Sequence, residues 1–244
     1  MDSPKENSRR SFLRRTIAIT PLAAVATGHA ALLPPMGDIA KSAPAVANEP
    51  ASDNYQPKYF TPDEWAFINA ACDRLIPKDH VGPGAVESGV PEYIDRQMLT
   101  PYGDGSRWYL QGPFPQGKPE FGYQSKLTPK EQYRLGIRAI NAYCVKQFNG
   151  KKFAELETAQ QVDFLKQMEA GKIKDDFKLA TFFNGFLLKN VMEGYFCDPS
   201  YGGNKNMAAW KMIGYPGVRA DYLEWVGESK PYPYGPVSLY GKRG

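Results

Sequence analysis

The sequence predicts an all-α protein. Three observations carry that reading. Three helix starts have capping boxes, apolar residues then recur every three or four positions, and strict apolar–polar alternation is nearly absent. The expected architecture is a single irregular helical domain with long aromatic loops and an extended C-terminal tail. Its expected parts are a leader at 1–47, a linker or arm at 48–60, the helical domain at 61–229 and the tail at 230–244.

Residues 48–60 are polar and hold Pro50 and Pro57, which suits an extended arm. Thr61-Pro62-Asp63-Glu64 then has Thr at N-cap, Pro at N1 and Glu at N3. Trp65, Ile68, Cys72 and Leu75 follow as one helical stripe, and Pro77 stops the helix. A shorter helix is expected around Pro91–Leu99. Tyr102–Ser125 is rich in Gly and Pro and carries Trp108, Tyr109, Phe114, Phe121 and Tyr123, so it reads as a long loop. Those rings either meet a partner or fold back onto their own helices.

The same N-terminal signature recurs at Thr128-Pro129-Lys130-Glu131, followed by Tyr133, Ile137, Ile140, Cys144 and Phe148. A third start is read at Thr158-Ala159-Gln160-Gln161, with Val162, Leu165 and Met168 behind it. Asp176–Phe196 is apolar on more than one face and is expected to be the central helix. A last helix is expected around Val218–Val226. The tail contains Pro-Tyr-Pro-Tyr-Gly-Pro and should be extended.

The first 47 residues have a different character. Ser8-Arg9-Arg10-Ser11-Phe12-Leu13-Arg14 precedes an uncharged run from Thr16 to Met36, and Ala45-Val46-Ala47 follows. A basic region, an apolar run and an A-x-A site make an export signal, and the paired Arg9 and Arg10 mark the twin-arginine route. That route carries folded proteins, so its passengers hold a loaded cofactor or travel with a partner that does. Cleavage is expected after Ala47. The alternative is a retained anchor, although Pro21, Pro34 and Pro35 interrupt the run.

Without the leader about 200 residues remain, enough for one domain with a core. Lys5, Arg9, Arg10, Arg14, Arg15 and Lys41 outweigh Asp2, Glu6 and Asp38, so most of the +4 formal charge belongs to the leader. The remainder is nearly neutral, which argues against a nucleic-acid partner. Spacing leaves every pairing of Cys72, Cys144 and Cys197 open, as well as three buried thiols.

Chemistry-bearing motifs are scarce. Beyond the leader His80 is the only histidine, read as a structural loop residue. No C-x-x-C, G-x-G-x-x-G, G-x-x-x-x-G-K-[ST] or G-x-S-x-G occurs. No catalytic, cofactor-binding or metal-binding residue is assigned. The densest local motif is Asp198-Pro199-Ser200-Tyr201-Gly202-Gly203-Asn204, with Trp210 and Gly214-Tyr215-Pro216-Gly217 behind it. Asp-Pro and Gly-Gly dictate a sharp loop, and Gly-Gly admits a close backbone or a ligand. A rigid turn that packs Trp210 into the core explains the same residues.

These residues carry a resemblance. Asp73-Arg74-Leu75-Ile76-Pro77-x-Asp79, Pro83-Gly84-Ala85, Val90…Tyr93-Ile94-Asp95, Glu193-Gly194-x-Phe196 leading into the 198–204 motif, and Trp210…Ile213-Gly214-x-Pro216-Gly217 resemble the gluconate 2-dehydrogenase subunit 3 family. The resemblance spans about Phe60 to Val226. It implies a small subunit without a redox cofactor in a periplasmic, membrane-associated complex. A large FAD flavoprotein would oxidise gluconate to 2-ketogluconate, and a multi-haem c-type cytochrome would pass electrons to ubiquinone. The small subunit would support the flavoprotein and supply the signal read by the Tat translocase, and it would meet the membrane only through the complex. Relatives accompany flavoproteins acting on several sugars and sugar acids, so the substrate stays open.

Interface candidates are Asp198, Pro199, Tyr201, Gly202, Gly203, Asn204 and Trp210, together with helix 176–196, the 102–125 loop and the tail. Two rival readings are a stand-alone periplasmic enzyme using Asp73, Asp79 or Asp198, and a ligand-binding module at the Tyr201 loop.

Overall fold

The computed structural model describes residues 55–244 apart from 116, 176 and 231. Arg9, Arg10, Phe12, Leu13 and the expected cleavage after Ala47 lie outside the described residues. The helices in chain order are α1 (Pro62–Leu75), α2 (Val90–Met98), α3 (Pro129–Gln147), α4 (Thr158–Glu169), α5 (Leu179–Phe182), α6 (Leu188–Phe196) and α7 (Ala208–Ile213). A π-helical segment, Phe183–Leu187, joins α5 to α6. Among the described residues there is no sheet, only bridges at Gly217–Val237 and Val237–Arg243. The protein is all-α.

Two capping boxes form as the sequence requires. The Thr61 and Thr128 amides donate to Glu64 Oε2 and Glu131 Oε2 at 2.9 and 2.8 Å. Each box satisfies orphan amides of a first turn. The third start differs by one residue. Glu157 is the N-cap, and its amide donates to Gln160 Oε1 at 3.1 Å. The Thr158 hydroxyl is used elsewhere, accepting from Arg74 Nη1 at 2.9 Å and tying the end of α1 to the start of α4.

The central helix begins at Leu179 rather than Asp176. The Asp175 carboxylate accepts the Leu179 amide, with both oxygens at 3.1 Å. Phe182, Phe183, Phe186, Leu187, Val191 and Tyr195 are buried along it, so it is apolar over a wide arc. Tyr133 of α3 meets Phe182 edge-on at 5.3 Å and Phe60 at 5.7 Å, and Phe67 of α1 meets Phe153 at 5.1 Å. These rings form the middle of one core.

The 102–125 loop divides its aromatics. Trp108 and Tyr123 turn inward, with Trp108 5.2 Å from Tyr123 and Tyr123 5.4 Å from Phe186. Tyr109 and Phe121 remain exposed. The helix expected at Val218–Val226 shrinks to a 3-10 turn at Leu223–Trp225. The Val218 amide donates to Val237 of the tail at 2.7 Å, just after Gly217 at φ +71°. The tail therefore folds back at Val237 and Ser238, and the Ser238 side chain is buried.

All three cysteines are free. Burial pushes the thiols of Cys144 and Cys197 up to about 12 and that of Cys72 upward as well. Alkylation needs the thiolate. At pH 8 the folded chain should hold roughly a thousandfold less thiolate at Cys197 than free cysteine does. Iodoacetamide labelling followed by mass spectrometry should show three slow sites in buffer and three fast ones in denaturant.

Candidate functional site

The nine residues of α2 are the most heavily engaged polar element of the fold. All but Gln97 are buried, including Glu92, Asp95 and Arg96. Buried charges persist only where partners replace water, and each of these has them.

Asp95 is fully buried and grips the incoming arm. Its carboxylate accepts the amides of Lys58 at 2.7 Å, Tyr59 at 3.0 Å and Phe60 at 2.9 Å, and the Tyr55 hydroxyl at 2.7 Å. Three consecutive amides on one carboxylate fix the course of the chain into α1. Burial, and then the bond to Asp95, hold the Tyr55 phenol protonated well beyond its ordinary range.

Glu92 faces the other way. It pairs with Arg96 at 2.6 Å and with Lys205, just past the glycine pair, at 3.2 Å. The Arg96 stem lies against Gly202, and its guanidinium stands 5.6 Å from the centre of the Tyr55 ring. Helix α2 therefore joins the arm on one side to the 198–204 loop on the other.

That loop is built by close approach of backbone. A Cβ on Gly203 would overlap the carbonyl oxygen of Gly194, and Gly202 sits at φ +97°. Pro199 opens a 3-10 turn capped by Asp198, which accepts the Ser200 amide at 2.9 Å. The other Asp198 oxygen accepts the Leu239 amide of the tail at 2.6 Å. Asn204 is fully buried at φ +43°, donates to the Cys197 carbonyl at 2.9 Å and accepts the Ala209 amide at 3.0 Å. Trp210 donates Nε1–H to the Phe196 carbonyl at 2.7 Å. Gly202, Gly203, Asn204 and Trp210 are buried, whereas Tyr201 is exposed. These four shape the surface from beneath.

A second polar cluster has no signature in the sequence. Asn190 Oδ1 accepts from the Tyr133 hydroxyl at 2.9 Å and the Tyr102 hydroxyl at 3.2 Å, and its amide donates to Glu193 at 2.9 Å. Burial raises Tyr102 to about 12. The members come from α3, the 102–125 loop and α6, far apart in the chain.

The three carboxylates considered for acid–base work are each engaged locally. Asp73 pairs with Arg74. Asp79 accepts the Val81 and Gly82 amides at 2.8 and 3.1 Å, which hold it below the usual carboxylate range. Asp198 holds the two amides described above. A groove of about 540 Å³ is lined by Phe114, Tyr123, Gln132, Phe177 and Lys178 among others, with no residue from the 198–204 loop. Among the described residues no group of three or more His, Cys, Asp and Glu is placed to hold a metal ion. No described helix is long and apolar enough to cross a membrane.

A family model described as gluconate 2-dehydrogenase subunit 3 matches residues 62–217, more than half of the chain. No curated protein matches, and no solved structure matches. The matched stretch runs from the start of α1 through Gly217. It contains α2 and the 198–204 loop, but neither the arm at 55–60 nor the tail.

Two glycine substitutions separate the physical causes at the loop. Gly203→Ala forces a methyl onto a backbone carbonyl and should cost about 3 kcal/mol. Gly214→Ala meets open space at φ +70° and should cost only about 1 kcal/mol for its left-handed conformation. Urea unfolding of both variants measures the difference.

Proposed function

This chain belongs to the gluconate 2-dehydrogenase subunit 3 family, hence to a multi-subunit dehydrogenase complex, and we propose that it is the small, non-catalytic escort subunit. In this reading a large FAD-containing subunit oxidises the sugar acid. A multi-haem c-type cytochrome subunit takes the electrons onward to ubiquinone. The small subunit stabilises the flavoprotein and supplies the twin-arginine signal for both. The complex works in the periplasm, at the inner membrane.

The observation that carries this reading is the conjunction of the 62–217 match with Arg9-Arg10-Ser11-Phe12-Leu13 in the same chain. A flavoprotein that binds FAD before export needs the route for folded proteins, and a partner bearing the twin arginine gives it access. The segment 55–60, the first described part of the chain, is fastened to α2 through four hydrogen bonds to Asp95.

The test is fractionation of cells carrying the full chain and its flavoprotein. Arg9→Lys/Arg10→Lys should strand both proteins in the cytoplasm, with flavin absorbance missing from the periplasmic fraction. A flavoprotein that reaches the periplasm unchanged beside the double variant would overturn the escort role.

A further inference from the structure

One exposed apolar region of the described surface lies around α7 and the end of α6. Phe196, Met212, Ile213, Tyr215, Val218 and Leu239 are all exposed, with Ile213 56 % and Leu239 52 % accessible. They lie on segments that meet at Trp210 and Asp198. The Phe196 carbonyl accepts the indole N–H, and Tyr215 packs edge-on against the indole ring at 5.1 Å. Met212 and Ile213 end α7, which Trp210 also belongs to. Val218 is held by Val237, and Leu239 by Asp198. Six exposed large apolar side chains on segments tied together by these bonds exceed the scattered apolar residues of an ordinary surface.

The segments that build this face are mostly basic, with Asp198, which holds the Leu239 amide, an acidic exception. Residues 199–219 and 235–244 contain Lys205, Lys211, Arg219, Lys242 and Arg243 and no Asp or Glu. Lys205 turns inward to Glu92, whereas Lys211, Lys242 and Arg243 are exposed. A second copy meeting this face through a two-fold axis would bring like charges together. The complementary surface is apolar at its centre and acidic at its rim.

The other interface candidates are less available. The central helix is largely spent on the core, and Trp108 and Tyr123 fold back onto Phe186. The tail, which lies beyond the family match, adds Leu239 to the face by docking on Asp198 of the matched motif. We infer that the face around Trp210 is where the FAD-containing subunit docks, through an apolar patch with an acidic rim. This rests on the escort-subunit reading above and names the surface that reading requires.

The experiment uses the full chain expressed with its flavoprotein, the affinity tag placed on the flavoprotein. Ile213→Asp/Leu239→Asp should lower the co-purified small subunit at least about tenfold, as loss of a central apolar anchor does. Val145→Asp, another exposed apolar position, on α3 outside this face, should leave it unchanged. Lys242→Glu/Arg243→Glu should weaken association most at low salt. Thermal midpoints report whether each variant folds. A photo-cross-linking benzoylphenylalanine placed at 213 gives a second readout that does not depend on the double variant folding. It should capture the flavoprotein, and the same probe at 145 should not.

If the wild-type pair fails to co-purify, the escort-subunit reading falls and the docking inference with it. If the pair forms and a folded double variant still binds, or position 213 captures nothing while the pair is intact, only the face is wrong. Capture of phosphatidylglycerol from vesicles at position 213 in place of the flavoprotein would make the face a lipid contact and overturn the inference.

Discussion

The fold depends on a short helix whose charges are all inside. Nine residues cannot hold a helix in water alone. Helix α2 survives by burying Val90, Tyr93, Ile94 and Met98, and by spending Glu92, Asp95 and Arg96 on neighbours. Burying three ionised groups is costly unless each is matched. Asp95 is matched by three amides and a phenol, and Glu92 by two cations. Removing any partner leaves a charge in a place water cannot reach. The arm at 55–60 and the loop at 198–204 are therefore constrained by the same helix, although about 140 residues separate them.

Much of this was legible in the sequence where the cause is local. Thr61 and Thr128 announce their helices because the capping box spans four residues. The 3.6-residue spacing behind them identifies Ile68, Cys72, Ile137 and Ile140, all buried. Gly-Gly after Asp-Pro signals close approach, though not that the approaching groups are the Gly194 carbonyl and the Arg96 stem. The misreadings have long-range causes. Thr158 looks like an N-cap until Arg74, 84 positions away, takes its hydroxyl. Val218–Val226 looks helical, but the chain there pairs with the tail at Val237 and keeps only a 3-10 turn at Leu223–Trp225. Asp95 belongs to the motif that carried the resemblance, but its work could not be read from sequence, since its partners lie 35 to 40 residues upstream. The Asn190 cluster was invisible for the same reason, with Tyr133 57 residues away.

The motif that most resembles the family turns out to be mostly interior. Gly203, Asn204 and Trp210 set the backbone path that puts Phe196, Ile213 and Leu239 on the surface around them. In a subunit whose proposed task is to hold another protein, the constrained residues need not touch the partner. They need to keep an apolar face in place while it is bare, as Asp95 keeps the arm at 55–60 on α2.

Hydrogen exchange of the native chain, compared with Asp95→Asn, tests that coupling most directly. The amides of 58–60 lose their acceptor charge in the variant and should exchange faster. The coupling through α2 predicts that the Lys205 amide, which donates to the Ser88 carbonyl at 3.0 Å, and the Ala209 amide exchange faster too. Faster exchange confined to 58–60, with 205 and 209 protected as in the wild type, would contradict it and reduce Asp95 to a local clamp.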